Sequence, residues 1–171
     1  MNDLDERIRR YVAYLCRLVQ EGAENRAALA DLRSGLGLTP GEASRMHRHV
    51  VPYLDDRDRP SDHWFYVIGA LFAYHPEHVP GESIGARFGR LRRADGISES
   101  AEARLVALLR SHPDDLPDRL RQAIGVLRAQ QMPVDYTRLL RDLVYWDAPD
   151  RPVQLNWARD FYRTQTAPAP A

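Results

Sequence analysis

Apolar residues recur every three or four positions along most of this 171-residue chain. In residues 4–20 this spacing includes Leu4, Ile8, Tyr11, Val12, Leu15, Leu18 and Val19. Such a period gives an α-helix one apolar face, whereas a half-buried strand would alternate apolar and polar residues. No Asn-Gly or Asp-Gly pair lies between two alternating segments, which would indicate a β-hairpin. The pattern predicts an all-α protein.

Breaks between the apolar segments predict about eight or nine helices. In the segment 38–50, Thr39 is in position to cap a third helix. The segment 63–76 is the most apolar of the chain, and its length favours a buried helix over a strand. Asp135 is a candidate cap for a later helix.

The helices are expected to form two packed helical bundles. Gly96 marks the boundary, which gives an N-terminal half, 1–96, and a C-terminal half, 97–163. The tail, 164–171, consists mostly of small residues and proline, and we expect it to be disordered. No repeat of fixed period is present in the sequence.

The composition favours a cytoplasmic protein without a membrane segment. No run approaches the roughly 20 apolar residues that a bilayer-spanning helix needs. The first ten residues are charged and lack the apolar run of a signal peptide. The single cysteine, Cys16, cannot form an internal disulfide, and its apolar neighbours indicate a buried side chain rather than a nucleophile.

The sequence lacks the residue patterns of common catalytic and cofactor sites. It contains no Gly-x-Ser-x-Gly, and a phosphate-binding loop of the lysine type is excluded because the chain has no lysine. His47 and His49 lie two positions apart, so on a helix they point to opposite sides and cannot share a metal ion. We therefore expect no catalytic residue, no metal and no cofactor.

All 24 basic residues are arginine, and they balance 24 acidic residues. Four of them occur within the arginine segment, residues 85–96: Arg87, Arg90, Arg92 and Arg93. This segment has no acidic residue before Asp95. Its arginines repel one another, so two interpretations remain open. Either acidic side chains of neighbouring helices compensate them, or phosphate groups of a nucleic acid do.

The helical period arranges this segment around an apolar stripe of Ile84, Phe88 and Leu91. Two of its arginines, Arg87 and Arg92, are expected on the flanks of the stripe, and the other two on the side away from it. Arg26 shares a helix face with Arg33, and Arg138 shares one with Arg141, while Arg119, Arg121 and Arg128 lie together on a further helix. Most large aromatic residues lie on apolar stripes and are predicted to be core: Tyr11, Trp64, Phe65, Trp146, Trp157 and Phe161.

Five segments in this order resemble a known family: ALADLRSGLG, HWFYVIGALFAYHP, SIGARFGRLRRADG, EARLVALLRSHPDDLPDRLRQAIGVLRAQQMPVDYTRLLRDLVYW and VQLNWARDFY. The family is the small subunit of the type I-E CRISPR surveillance complex, Cascade, also called CasB. The resemblance extends over roughly residues 4–162. It rests on the ordered series, since no single motif among them is diagnostic.

The resemblance implies an all-helical, non-enzymatic subunit of antiviral defence. Two copies would lie head to tail in the complex and contact the backbone subunits that hold the CRISPR RNA. They would stabilise the R-loop by holding the target strand and the displaced non-target strand, while base pairing with the guide supplies sequence specificity. The alternative is a protein-interaction adaptor whose arginines bind acidic patches of partner subunits without touching nucleic acid.

The resemblance also implies which residues bind nucleic acid. Arg33, Arg87, Arg90, Arg121 and Arg141 stand at positions that are commonly basic in the family. Arg92 and Arg93 are added because they adjoin the arginine segment's matched positions. Many relatives have a second basic residue where this chain has Ser34, which lowers the local charge. With the resemblance, phosphate becomes the favoured partner of the arginine segment.

Overall fold

A computed structural model gives the fold and describes residues 3–93 and 98–166 of the chain. Within these residues it contains nine α-helices and no β-strand, which confirms the all-α prediction and its helix count. The chain divides into two compact units, Met1–His78 and Val79–Ala171. None of the described helices combines the length and the apolar character needed to cross a bilayer.

The first unit packs its helices around buried aromatic and aliphatic side chains. Its helices are α1 (Asp3–Arg17), α2 (Ala23–Arg33), α3 (His47–Val50) and α4 (Arg59–Tyr74). The Tyr11 hydroxyl of α1 donates a hydrogen bond of 3.1 Å to the Phe65 carbonyl oxygen of α4. Gly69 of α4 permits this approach, because a Cβ there would lie 2.2 Å from the Tyr11 hydroxyl oxygen.

The predicted helix over residues 38–50 is wrong in its extent. The Thr39 N–H does donate to Glu42 Oε2 at 3.0 Å, as in a helix cap, but the segment that follows is a turn. A 3₁₀ turn at Ser44–Met46 leads into α3, which is only four residues long. Gly41 contributes to the shortening, because glycine is a poor helix former, whereas Pro40 would be compatible with the first turn of a helix.

The second unit contains the arginine segment. Its helices are α5 (Ile84–Arg93), α6 (Ser98–Leu109), α7 (Leu116–Ala129), α8 (Tyr136–Val144) and α9 (Pro152–Thr166). Helix α5 packs against both α6 and α9. The predicted apolar stripe is confirmed, because Ile84, Phe88 and Leu91 are at most 2% exposed. Asp135 is confirmed as the cap of α8, where its Oδ1 accepts the Arg138 backbone N–H at 2.9 Å.

The boundary between the units lies at His78 and Val79, before the Gly96 that the sequence indicated. Helix α5 belongs with the second unit because it packs on α6 and α9. Gly96 itself lies outside the described residues. Helix α9 continues to Thr166, into the predicted tail, and residues 167–171 lie outside the described part of the chain.

The aromatic core is as predicted. All six aromatic residues assigned to it are at most 7% exposed. In the second unit the Trp146 and Trp157 rings meet edge to face, with centroids 5.1 Å apart. Cys16 of the first unit is half-buried, and burial raises the pKa of its thiol, which fits the predicted packing role and disfavours a nucleophile.

Asp142 of α8 is a partly buried carboxylate with an unusual pKa. The Trp157 indole N–H donates to Asp142 Oδ2 at 2.7 Å. Burial raises the pKa of Asp142 from its ordinary 3.8 to about 6, although the Trp157 hydrogen bond and the charges of Arg138 and Arg141 lower it. Because the folded-state pKa lies above the unfolded-state pKa, the contribution of Asp142 to the free energy of unfolding is most favourable at low pH. It decreases as the pH rises through about 6.

We expect Asp142→Asn to raise the free energy of unfolding by about 2 kcal/mol near pH 8. This is less than the full pKa shift would give, because the side chain is partly exposed. Asparagine keeps an oxygen acceptor for the Trp157 N–H and carries no charge to desolvate. Urea unfolding should show the gain near pH 8 and almost none near pH 4. An equal change at both pH values would contradict the assigned pKa.

Candidate nucleic-acid interface

Two glutamates compensate the arginine segment. Glu82, just before α5, accepts hydrogen bonds of 2.9 Å from Arg90 Nε and lies 3.1 Å from Arg87 Nη1. Glu102 of α6 pairs with Arg92 Nη1 at 3.2 Å. The sequence left open whether acidic side chains or phosphates compensate this segment. At Arg87, Arg90 and Arg92 the structure shows acidic side chains. The pKa of Glu82 is lowered chiefly by its hydrogen bond to Arg90, so this carboxylate stays charged.

Arg87, which the sequence places on a flank of the apolar stripe, is buried. It is 9% exposed, and its Nε has no hydrogen-bond partner. The reason is that α5 is covered by α6 and α9 together, so the buried face is wider than the apolar stripe alone. Arg90 keeps half of its side chain exposed and Arg92 a third. The Arg93 side chain lies outside the described part of the structure.

The other predicted arginines lie on helices other than α5. Arg33 belongs to the first unit, where its Nε and Nη2 donate to the Ala73 carbonyl oxygen at 3.1 and 2.9 Å. It thereby satisfies a carbonyl at the C-terminal end of α4. Arg121 of α7 is exposed and makes no ion pair within the described residues, and Arg141 of α8 is also exposed. The structure thus gives these residues separate surroundings.

A groove between α6 and α7 gathers a different set of arginines. One section, about 320 Å³, is lined by Arg104 of α6 and Arg119 of α7 over Ala107 and Ala123. A second section, about 470 Å³, shares Arg119 and Ala107 with the first and adds Arg110. Small alanine side chains on both helices leave this space open.

The groove continues to the turn between α8 and α9. A third section, about 220 Å³, shares Arg110 with the second and ends at Arg151. Asp150 and Arg151 have φ angles of 61° and 50°, in the left-handed region, which tightens the turn. Arg151 Nη2 donates to the Leu109 carbonyl oxygen at 2.5 Å, which fixes its place. We call the whole surface the arginine groove, lined by Arg104, Arg110, Arg119 and Arg151.

The arginine groove carries uncompensated positive charge. Arg104, Arg110 and Arg119 are exposed, and none of them has an ion pair in the described residues. Among the described residues, its lining includes four arginines and two acidic residues, Asp115 and Asp147. Each guanidinium group is a planar fork of N–H donors that suits the oxygens of a phosphate. The groove can therefore bind a polyanion such as a nucleic-acid backbone.

Sequence reasoning missed three of the four arginines in this groove. The sequence pattern places Arg119 on a helix with several arginines, and it gives no reason to select Arg104, Arg110 or Arg151. The groove exists because α6 and α7 lie side by side. Sequence patterns within a single helix do not predict which helices pack against each other. The one usable indication is the pair Ala103 and Ala107, four residues apart on α6, which marks a helix face of small side chains.

The histidines that raised the question of a metal have other partners. His47 Nδ1 lies 2.8 Å from the Tyr66 hydroxyl, and His49 Nδ1 lies 2.7 Å from the Tyr14 hydroxyl. Among the residues that the structure describes, no group of three histidine, cysteine or acidic side chains is arranged to hold a metal ion.

Comparison with known proteins identifies the family. The chain matches the CRISPR-associated protein Cse2 family over residues 28–162. It is 34% identical to a CRISPR-associated protein Cse2 of Thermus thermophilus over 156 residues, covering 90% of this chain and 88% of the relative. The crystal structure of a Cse2-family protein from that organism has a TM-score of 0.79 at 31% identity, covering 91% and 97% of the two chains.

A chain in a solved CRISPR RNA-guided surveillance complex is also similar. Its TM-score is 0.79 at 27% identity, with 95% of each chain covered. The crystal structure of CasB from M. ruber gives a TM-score of 0.75 at 30% identity, covering 92% and 93%. The agreement of sequence and fold over nearly the whole length shows that this chain belongs to the Cse2 family.

Proposed function

We propose that the chain is a non-catalytic, nucleic-acid-binding subunit of a Cascade-type surveillance complex. In this role it contacts the CRISPR RNA-containing backbone subunits and a second copy of itself, and it stabilises the R-loop by holding the target and displaced DNA strands. Family membership and the similar chain in a surveillance complex support the assignment. The similarity to known proteins supports membership in the complex, and the charged surface of this chain supports contact with DNA.

The arginine groove is the observation that carries the proposal. Arg104, Arg110 and Arg119 come from two helices and the loop between them, yet they line one groove without a paired carboxylate. Arg87 and Arg90, in contrast, share the carboxylate of Glu82, and Arg87 is buried. Arg121 is exposed on α7 but stands two residues from Arg119, on roughly the opposite side of the helix.

We expect such a groove to bind nucleic acid chiefly through its phosphates. Its charged groups are guanidiniums, which contact phosphates, and the alanine side chains of its floor carry no donor or acceptor for a base edge. This suits a subunit of an RNA-guided complex, in which base pairing supplies the specificity.

Salt dependence tests the proposal on the full chain. Binding of a fluorescent single-stranded DNA, followed by anisotropy across NaCl concentrations, should weaken with a slope of about −0.7 in log affinity against log salt for each phosphate contacted. Three contacts predict a slope near −2. A second measurement is cross-linking of DNA to the subunit inside an assembled R-loop. A salt slope near zero together with no such cross-link would refute nucleic-acid contact.

One observation favours the alternative, a protein-interaction adaptor. The floor of the arginine groove is apolar, formed by Ala103, Ala107 and Ala123, and it would also suit an acidic amphipathic helix of a partner subunit. Photo-cross-linking from Arg119, replaced by a photoreactive residue in the assembled complex, separates the two. Cross-links to DNA support the proposed function, and cross-links only to protein support the adaptor.

A further inference from the structure

A second cluster of arginines lies in the first unit, around the buried carboxylate of Asp31. Arg45 Nη2 lies 2.7 Å from Asp31 Oδ1, and Arg48 Nη2 forms an ion pair with Asp31 Oδ2. Each arginine therefore bonds a different oxygen of one carboxylate. Helix α2 supplies the acid, whereas the 3₁₀ turn and α3 supply the two bases.

Asp31 is fixed from its other side as well. His49 Nε2 lies 3.2 Å from Asp31 Oδ2, and His49 Nδ1 lies 2.7 Å from the Tyr14 hydroxyl. The Asp31 side chain is only 4% exposed. Hydrogen bonds, first from Arg48 and then from His49, lower its pKa to about 2, so the carboxylate is charged at neutral pH. A rigid anion thus lies beneath the two arginines.

The two arginines themselves remain at the surface. Their side chains are 65% exposed for Arg45 and 70% exposed for Arg48. Each guanidinium group has five N–H donors, and the bond to Asp31 uses only part of them. Arg17 adds a third positive charge nearby, with its Cζ 5.8 Å from the centre of the Tyr14 ring. The cluster therefore presents several oriented donors and a net positive charge.

We propose that Arg45 and Arg48 form a phosphodiester-binding pair, and that Asp31 is its positioning residue. The inference rests on the proposed function for its ligand, the backbone of a single-stranded nucleic acid, but it concerns a different surface from the arginine groove. Asp31 holds the guanidinium forks in place before binding, so less side-chain freedom is lost when phosphate arrives. Exposed arginines without such a partner must lose that freedom on binding.

The variant Asp31→Asn distinguishes positioning from simple charge. It removes a negative charge beneath two arginines, so electrostatics alone predicts tighter binding of DNA. Positioning predicts the opposite, because asparagine keeps only one of the two oxygens and turns its NH2 donors toward one of the arginines. We expect about fivefold weaker binding of a fluorescent single-stranded DNA at about 0.1 M NaCl, the effect of losing one phosphate contact. Unchanged or tighter binding by the folded variant overturns the positioning role.

Further variants keep the test decisive. Arg45→Ala with Arg48→Ala should also lower affinity about fivefold, and Asp31→Asn should add nothing in that background. Should Asp31→Asn unfold at the assay temperature, Arg45→Lys with Arg48→Lys replaces it. That variant keeps the charge but removes the fork, and full affinity there would overturn the proposal. Arg26→Ala, an exposed arginine of α2, is the matched control.

The outcome is separable from the proposed function. If variants of the arginine groove weaken DNA binding while the Arg45 and Arg48 variants do not, the further inference fails and the proposed function stands. If the Arg45 and Arg48 variants lose assembly with partner subunits but keep DNA affinity, the pair binds carboxylates of a protein and the inference is also overturned.

Discussion

Replacing Arg104, Arg110 and Arg119 together by glutamate should lower the affinity of the chain for single-stranded DNA by at least about 100-fold near 0.1 M salt. Each lost phosphate contact costs about fivefold under these conditions, and the introduced carboxylates add repulsion. The slope of log affinity against log salt should become shallower by about 2. Fluorescence anisotropy over a range of NaCl concentrations measures both quantities. Circular dichroism should be unchanged, since these side chains are exposed.

A control with equal charge change is available in the same chain. Arg10, Arg26 and Arg159 are also exposed, and none of them lines the arginine groove. Their joint replacement by glutamate changes the net charge by the same amount, so it reports the long-range electrostatic effect alone. Equal losses in the two triple variants would show that the groove is not the contact surface.

The fold could be predicted from the sequence because its information is local. The spacing of Ile84, Phe88 and Leu91 predicts which face of α5 is buried, and this prediction does not require knowing which helices pack on that face. Asp135 was recognisable as a cap because a cap acts within its own turn. Local information was not sufficient after Thr39. The capping hydrogen bond between Thr39 and Glu42 is present, but the residues that follow form a turn instead of a helix.

The interface could not be predicted in the same way because it depends on residues brought together by packing. The arginine segment contains no acid before Asp95, yet Glu82 precedes it and Glu102 comes from α6. Both compensate it through the fold. Conversely, nothing in the local sequence distinguishes Arg110 and Arg119, and they line one groove only because α6 lies beside α7.

The glycines of the arginine segment matter more for the fold than the sequence suggested. Gly85 and Gly89 lie four residues apart on α5, on the face that meets α9. A Cβ on Gly89 would lie 2.9 Å from the Phe161 carbonyl oxygen, and one on Gly85 would lie 2.0 Å from the Trp157 carbonyl oxygen. Close backbone contact of the two helices therefore requires glycine at both positions.

We expect Gly85→Ala to lower the free energy of unfolding by about 3 kcal/mol or more. The added methyl group would overlap the backbone of Trp157, which cannot rotate away as a flexible side chain could. Alanine is a better helix former than glycine by about 1 kcal/mol. A lower free energy of unfolding would therefore come from the contact between α5 and α9 and not from helix propensity. Thermal unfolding followed by circular dichroism should show Tm lowered by roughly 6 to 12 °C.

Gly41→Ala is the matched comparison, because a Cβ at Gly41 would have no atom within 4 Å and the backbone there is not left-handed. Its Tm should change by no more than about 2 °C. If the Gly85→Ala and Gly41→Ala variants had the same Tm, α5 and α9 would have to lie farther apart than they do in the structure. In that case the burial of Arg87, which depends on this packing, would also be wrong, and Arg87 would regain a place among the phosphate-binding candidates.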